Sequence, residues 1–424
     1  MKKLFCISGL FLGVFLFGFY PARLQAAPAA VGASDSDGPI DFQRARAIRR
    51  KVEAGETPTP EERAYVQRAM QEMQKQKSRQ KAGVPASTTP VSDPKIVASL
   101  VPLDELTGIY KGEDGGLYGG GKNTPPSVHL SAYLKEAKRI QPLDAEGKPA
   151  GDGKIVLLSI GMSNTTMEYS YFKKVADADA EKSPHVVVVD GAKGARTGLA
   201  WSLDGVSLLP AGEQERIMKA FALVGRNITR GFGDTWTGVE EKLKASGVTT
   251  RQVQAVWIKQ AEAMPGKLGE FPAHAKVLQA SIVDTLNIAR HLYPNLRVAY
   301  LSARIFGGYA TTALNPEPYA YEEAFAMRWV IQDQIKGEPR LNCDPARGEV
   351  KSPVAVWGPY LWANGITPRK SDGLVWKPED FVSSDHTHPD TSARQKVADL
   401  LLRFLKTDAG ARRWFVKTDV TGER

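Results

Sequence analysis

Ser163 stands where an apolar run, Ile155-Val156-Leu157-Leu158-Ser159-Ile160-Gly161, gives way to Met162, and far downstream the chain reads Asp385-His386-Thr387-His388-Pro389. These segments supply a hydroxyl, a carboxylate and an imidazole in the chain order Ser…Asp…His. A serine hydroxyl is a poor nucleophile until a hydrogen-bonded base takes its proton. The base needs a fixed tautomer, which a carboxylate on its second ring nitrogen provides. Asp385 and His388, three positions apart before a helical run, can deliver both groups from one short loop. The pattern predicts acyl transfer: Ser163 attacks, His388 moves the proton and Asp385 orients the ring.

Other readings of the same residues stand beside this one. Ser163 can cap the helix that follows, a common serine role. Asp385, His386, His388 and Asp390 are metal-ligand types. The remaining histidines, His129, His185, His274 and His291, are dispersed without a His-Glu-x-x-His spacing, so no metal is expected. Nor is the turn the nucleophile elbow of α/β-hydrolases, because Thr165 holds the place of its second glycine.

Short apolar, β-branched runs at residues 154–160, 185–189, 253–258 and 296–301, with a weaker one near 354–357, read as strands buried on both faces. Helical stretches at 211–224, 239–246, 272–292, 321–336 and 392–405 separate or follow them. Alternation of this kind predicts right-handed crossovers and a three-layer α/β/α sandwich on a short, parallel, five-stranded sheet. Chemistry in such sheets gathers at the carboxyl ends of the strands. Ser163 follows the first strand, Gly194 the second and Gln260 the third.

Upstream, Lys2-Lys3, an apolar stretch to Tyr20, Pro21 and small residues at Ala26-Ala27 form an export leader, residues 1–26, with cleavage expected after Ala26. Kept uncleaved, the same stretch would be an anchor; after cleavage no membrane insertion is expected. Residues 41–81 read as a charged helical hairpin, restarted at Thr59-Pro60-Glu61-Glu62 by a capping threonine and a glutamate three residues on. Residues 82–94 read as a linker, and residues 95–417 as the main domain. Without Lys2, Lys3 and Arg23 the chain carries 53 basic and 47 acidic residues, a net +6 against +9 for the whole. Much of the excess lies in the hairpin, not in a basic patch interleaved with aromatics, so no nucleic-acid partner is expected. Cys343 is the one cysteine outside the leader, which leaves no internal disulfide for an exported protein.

Taken together, the blocks in residues 154–405 resemble the SGNH, or GDSL-type, hydrolase superfamily. That resemblance implies a flavodoxin-like fold and an oxyanion hole built from the later blocks. In the second block, Val189 to Gly198, it assigns the oxyanion N–H to Gly194, with Gly191, Gly198 and Ala195 as alternatives. In the third block, Val256-Trp257-Ile258-Lys259-Gln260, it gives Gln260 the place of the usual asparagine, as in carbohydrate-active branches. Lys259 must then point away or meet the substrate. The resemblance implies an exported serine esterase, without cofactor, that removes an acetyl or similar acyl group from a carbohydrate. A catalytically silent glycan-binding module on the same fold is the alternative. Candidate substrate contacts are Asn123 in a glycine-rich loop, Arg304, and the aromatics Trp357, Tyr360 and Trp362, whose faces can stack on sugar rings.

Overall fold

The computed structural model describes residues 40, 41, 44, 45, 48, 58–83, 89–224 and 235–417; the expected leader and most of the first half of the hairpin lie outside them. The chain divides into two compact units, residues 1–85 and 86–424. In the first, helix α1 (Pro60–Gly83) opens on a reciprocal capping box. Thr59 Oγ1 accepts from the Glu62 N–H at 3.2 Å, and the Glu62 carboxylate accepts from the Thr59 N–H at 3.0 Å. Tyr65 and Ala69 pack with Ala45 and Ile48, and the Tyr65 hydroxyl accepts from the Asp41 N–H at 2.8 Å.

The second unit begins earlier than the linker reading allowed. The Val91 N–H donates to Ala310 O at 2.9 Å, and buried Ser92 accepts the Glu317 N–H at 3.0 Å. Residues 91 and 92 are therefore bonded into the main unit. Helices α2 (Pro94–Ser99) and α3 (Ser127–Ala137) lead to β1 (Ile155–Gly161), α4 (Ser163–Ala178) and β2 (Val186–Val189). Helices α5 (Gly198–Asp204), α6 (Ala211–Val224) and α7 (Thr235–Ala245) precede β3 (Val253–Lys259) and α8 (Ala273–Leu292). The chain continues through β4 (Val298–Ser302), α9 (Tyr319–Lys336), β5 (Val354–Trp357), α10 (Thr391–Thr407) and α11 (Arg412–Phe415).

All five strands are parallel, in the order β2-β1-β3-β4-β5. Every residue of β1, β3, β4 and β5 is buried, as expected for apolar strands covered on both faces. Helix α4 packs on α10, while α8 packs on α5 and α9, an arrangement consistent with a three-layer sandwich. Helix α10 shows how the sequence builds a layer. Ala393, Val397, Leu401 and Leu405 recur every four residues and are all buried, the stripe an amphipathic helix needs. Burial of each of its valine and leucine side chains contributes about 1.5–3 kcal/mol. The path leaves β1 toward β2 and then returns past β1 to β3. That reversal opens a crevice at the carboxyl ends of β1 and β3.

The glycine-rich loop at residues 110–126 is structural. A Cβ on Gly115 would lie 1.6 Å from Leu106 O, and Gly116 turns at φ +87°. Arg328 of α9 donates to the Asp114 carbonyl at 2.5 Å, and Trp357 Nε1 donates to Leu117 O at 2.7 Å. No helix among the described residues is long and apolar enough to cross a membrane.

Candidate active site

Helix α4 starts at Ser163, two residues beyond the end of β1. Its N-cap is Met162, which makes no side-chain cap bond, so the serine is not spent on capping. The Ser163 hydroxyl lies 2.8 Å from His388 Nε2, and His388 Nδ1 lies 2.6 Å from Asp385 Oδ2. A proton on Nδ1, facing the carboxylate, leaves the Nε2 lone pair to accept the serine proton. Asp385 Oδ1 accepts the N–H groups of Thr387 and His388 at 2.9 and 3.1 Å. Burial works to raise the Asp385 pKa, but bonds from the His388 ring and from these two N–H groups prevail and hold it down to about 2.

The turn into Ser163 has little spare room. A Cβ on Gly161 would sit 2.3 Å from Thr165 Oγ1 and 2.4 Å from Lys259 O, so only glycine fits there. Thr165, the residue that departs from the nucleophile elbow, donates to Lys259 O at 2.6 Å and ties α4 to β3. Lys259 itself points away from the serine. Its ammonium pairs with Glu168 inside the protein, and burial lowers its pKa to about 8.

The loop after β2 reaches the same place. Asp190 accepts from Ser159 Oγ at 2.7 Å and also from Thr166 Oγ1, which joins this loop to β1 and α4. Gly161 O accepts the Lys193 N–H at 3.1 Å. A Cβ on Gly194 would stand 4.0 Å from Ser163 Cβ. The Gly191 and Gly198 N–H groups donate to Val189 O and Ala261 O, each at 3.2 Å, and are committed to the fold. Among the described residues no acceptor takes the Gly194 or Ala195 N–H. The N–H of Ser163, in the first turn of α4, has no helical partner and lies at the positive end of the helix dipole.

Gln260, expected to complete the oxyanion hole, stands apart from the pocket lining. Its side chain is fully buried, neither Nε2 nor Oε1 has a partner, and the pocket at Ser163 is lined by Ala261 and Glu262, not by Gln260. The expected aromatic wall requires a correction. Trp357 and Tyr360 are buried; the first donates to Leu117 O and the second accepts the Leu103 N–H at 3.0 Å. Fully buried Trp362 donates to Glu317 Oε1 at 2.7 Å. Their rings fill the core, and their polar edges are used there. Asn123 accepts from the Leu117 N–H at 3.0 Å and donates to Asp104 O at 2.7 Å, bracing the glycine-rich loop. None of these four residues lines the pocket that holds Ser163.

Arg304 does line it, although only 1% of the residue is exposed. Asn164, which sequence reasoning passed over, lines it too. Its Nδ2 donates to Thr387 O at 3.0 Å, and Arg304 Nη2 approaches the same carbonyl at 3.5 Å. The signal for Asn164 was only its position beside the serine. The metal alternative does not converge. Asp385 and His388 bond to each other, and Asp390 accepts the first N–H of α10 at 2.7 Å. Among the described residues, no three His, Cys, Asp or Glu side chains are grouped to hold a metal ion.

Four non-glycine residues of the described chain have left-handed backbones, and three, Ala195, Met264 and His386, flank this site. Strain of that kind persists only where surrounding structure enforces it. No protein-family model matches the chain, and no curated protein matches it.

Proposed function

We propose that this protein is a serine ester hydrolase of SGNH type, and the observation that carries the proposal is the continuous hydrogen-bonded chain Ser163–His388–Asp385. In this reading His388 takes the hydroxyl proton as Ser163 attacks the ester carbonyl, then returns it to the leaving alcohol. Water, activated by the same imidazole, releases the acid from the acyl-enzyme. The N–H groups of Ser163 and Gly194, with Ala195 as the neighbouring alternative, hold the tetrahedral oxyanion. Further support comes from the strand order, from glycine loop and serine meeting at one crevice, and from the Asp-x-x-His spacing. The aromatics expected to stack on sugar are used by the core, which removes that part of the support for a carbohydrate substrate.

The test is a fluorophosphonate probe applied to the full-length protein, with the labelled peptide sequenced. Labelling at Ser163 that Ser163→Ala abolishes is the expected result. An unlabelled protein, or label on another serine, would end the assignment.

A further inference from the structure

What a ligand meets beside Ser163 depends on which lining atoms reach the surface. The cavity measures about 420 Å³. Its charged and amide side chains are sealed beneath the wall: Glu262 and Asn315 are 2% and 3% exposed, and Arg304 is as enclosed. Part of their bonding capacity is used inside the protein, although Arg304 Nε and Asn315 Oδ1 are buried without a partner among the described residues. Glu262 accepts the Leu199 N–H at 2.9 Å, and Asn315 Nδ2 donates to Glu323 at 2.9 Å. Burial pushes the Glu262 carboxyl up to about 7, which further reduces the charge facing the cavity.

The accessible wall comes instead from Ala195, Ala263, Met264, Ala313 and Leu314, with the Thr312 side chain at the rim. No aromatic ring lines it among the described residues. These wall segments follow β2, β3 and β4, and they are fastened together. The Met264 N–H donates to Leu314 O at 2.8 Å, and the Gly198 N–H to Ala261 O at 3.2 Å. A sugar ring placed here would lose water from its hydroxyls and find methyl and thioether groups in exchange. A flexible hydrocarbon chain suits such a wall, and methionine adapts to its shape.

Size points the same way. At roughly 30 Å³ per water, the cavity holds on the order of a dozen water-sized groups. An acetyl methyl would leave most of it unfilled.

We propose that this pocket receives an unbranched aliphatic chain of the substrate, attached on the acyl or the alcohol side of the scissile ester. The inference deepens the serine-hydrolase reading and rests on it for the position of the scissile bond. Each methylene buried against the wall improves binding about fourfold, so the preference for longer chains is expected to grow steadily until the cavity is full.

Two substrate series and one binding measurement test this. The first runs from p-nitrophenyl acetate through butyrate and hexanoate to octanoate, and the second from ethyl acetate to octyl acetate. In one of the two, kcat/KM is expected to rise at least ~10-fold with chain length, and the series that rises identifies the side occupied. Ala263→Phe, and independently Ala313→Phe at an exposed position, should lower the long-to-short ratio ~10-fold or more. Ser163→Ala should bind octanoate or octanol, read by calorimetry, more tightly than acetate or ethanol. Flat or acetate-preferring series, or a ratio untouched by both phenylalanine variants, would overturn the chain pocket while leaving ester hydrolysis in place. Chain binding by Ser163→Ala, in a protein that turns over no ester, would support the pocket and sink the hydrolase reading.

Discussion

Residues 382–390 and residues 357–362 both carry side chains suited to chemistry, and the fold uses them in opposite ways. The first segment keeps Asp385 and His388 partly exposed, at 21% and 24% of their side chains, and aims them at Ser163. The second encloses Trp357, Tyr360 and Trp362 in the core. In the Asp-x-x-His loop the partners are three residues apart, so the local chain decides whether they meet. An aromatic cluster has no such local partner. Whether its rings face a ligand or the core is set by what packs around β5, which composition does not record.

The largest expected effect lies on the first side of that contrast. Ser163→Ala and His388→Ala should each lose ~10³-fold or more in kcat for an ester substrate, and the double variant should be little worse, since such residues act as a unit. His386→Ala should lose far less. Steady-state kinetics on the four proteins checks this, and a His386 effect as large as that of His388 would move the base.

On the second side, Trp362→Ala should cost about 3–5 kcal/mol of folding stability and leave kcat per folded molecule within about threefold of the parent. Denaturant unfolding beside active-site titration separates the two. A selective loss of turnover with normal stability would return Trp362 to the site.

A third test uses pH. The folded Asp385 pKa, about 2, is depressed below the ordinary 3.8. Its contribution to stability is therefore complete above about pH 4 and is lost as pH falls toward 2. Unfolding midpoints for parent and Asp385→Asn should converge over that interval. A gap that stayed constant would mean the carboxylate gains nothing from its partners.

The smallest effect is expected at Gln260. Replacing an unpartnered buried amide with an apolar side chain of similar length, Gln260→Met, should change stability by no more than about 1 kcal/mol, in the stabilising direction. Turnover should persist. A ~10²-fold fall in kcat at constant KM would instead restore the amide to the oxyanion hole.

Much of this architecture was legible. The expected strand at 154–160 is Ile155–Gly161, that at 296–301 is Val298–Ser302, and the helix expected at 392–405 is Thr391–Thr407. Apolar runs and cap residues mark such elements directly, and strand order then brings Ser163 and Gly194 to one crevice. Other parts left no mark. Gln260 was placed correctly at the end of β3, but the direction of its side chain depends on how the chain leaves the strand. The pocket walls are alanines, a methionine and a leucine in loops, residue types that carry no chemical signature. The linker reading failed at Ser92 because a polar, proline-flanked stretch looks the same whether it hangs free or hydrogen-bonds to a distant turn.

The Thr387 carbonyl accepts from both Asn164 and Arg304, and its neighbours are held in kind: the Thr311 N–H donates to Asp385 O and the Val382 N–H to His388 O. These acceptors belong to the main chain, which every residue type supplies. The number of letters between Val382 and His388 therefore cannot change without moving His388 off Ser163, even where every side chain is kept. In gene variants of this protein, insertions and deletions in that loop should be far more damaging than Thr387→Ser, which keeps both the main chain and the hydroxyl that donates to Asp385 O at 3.0 Å.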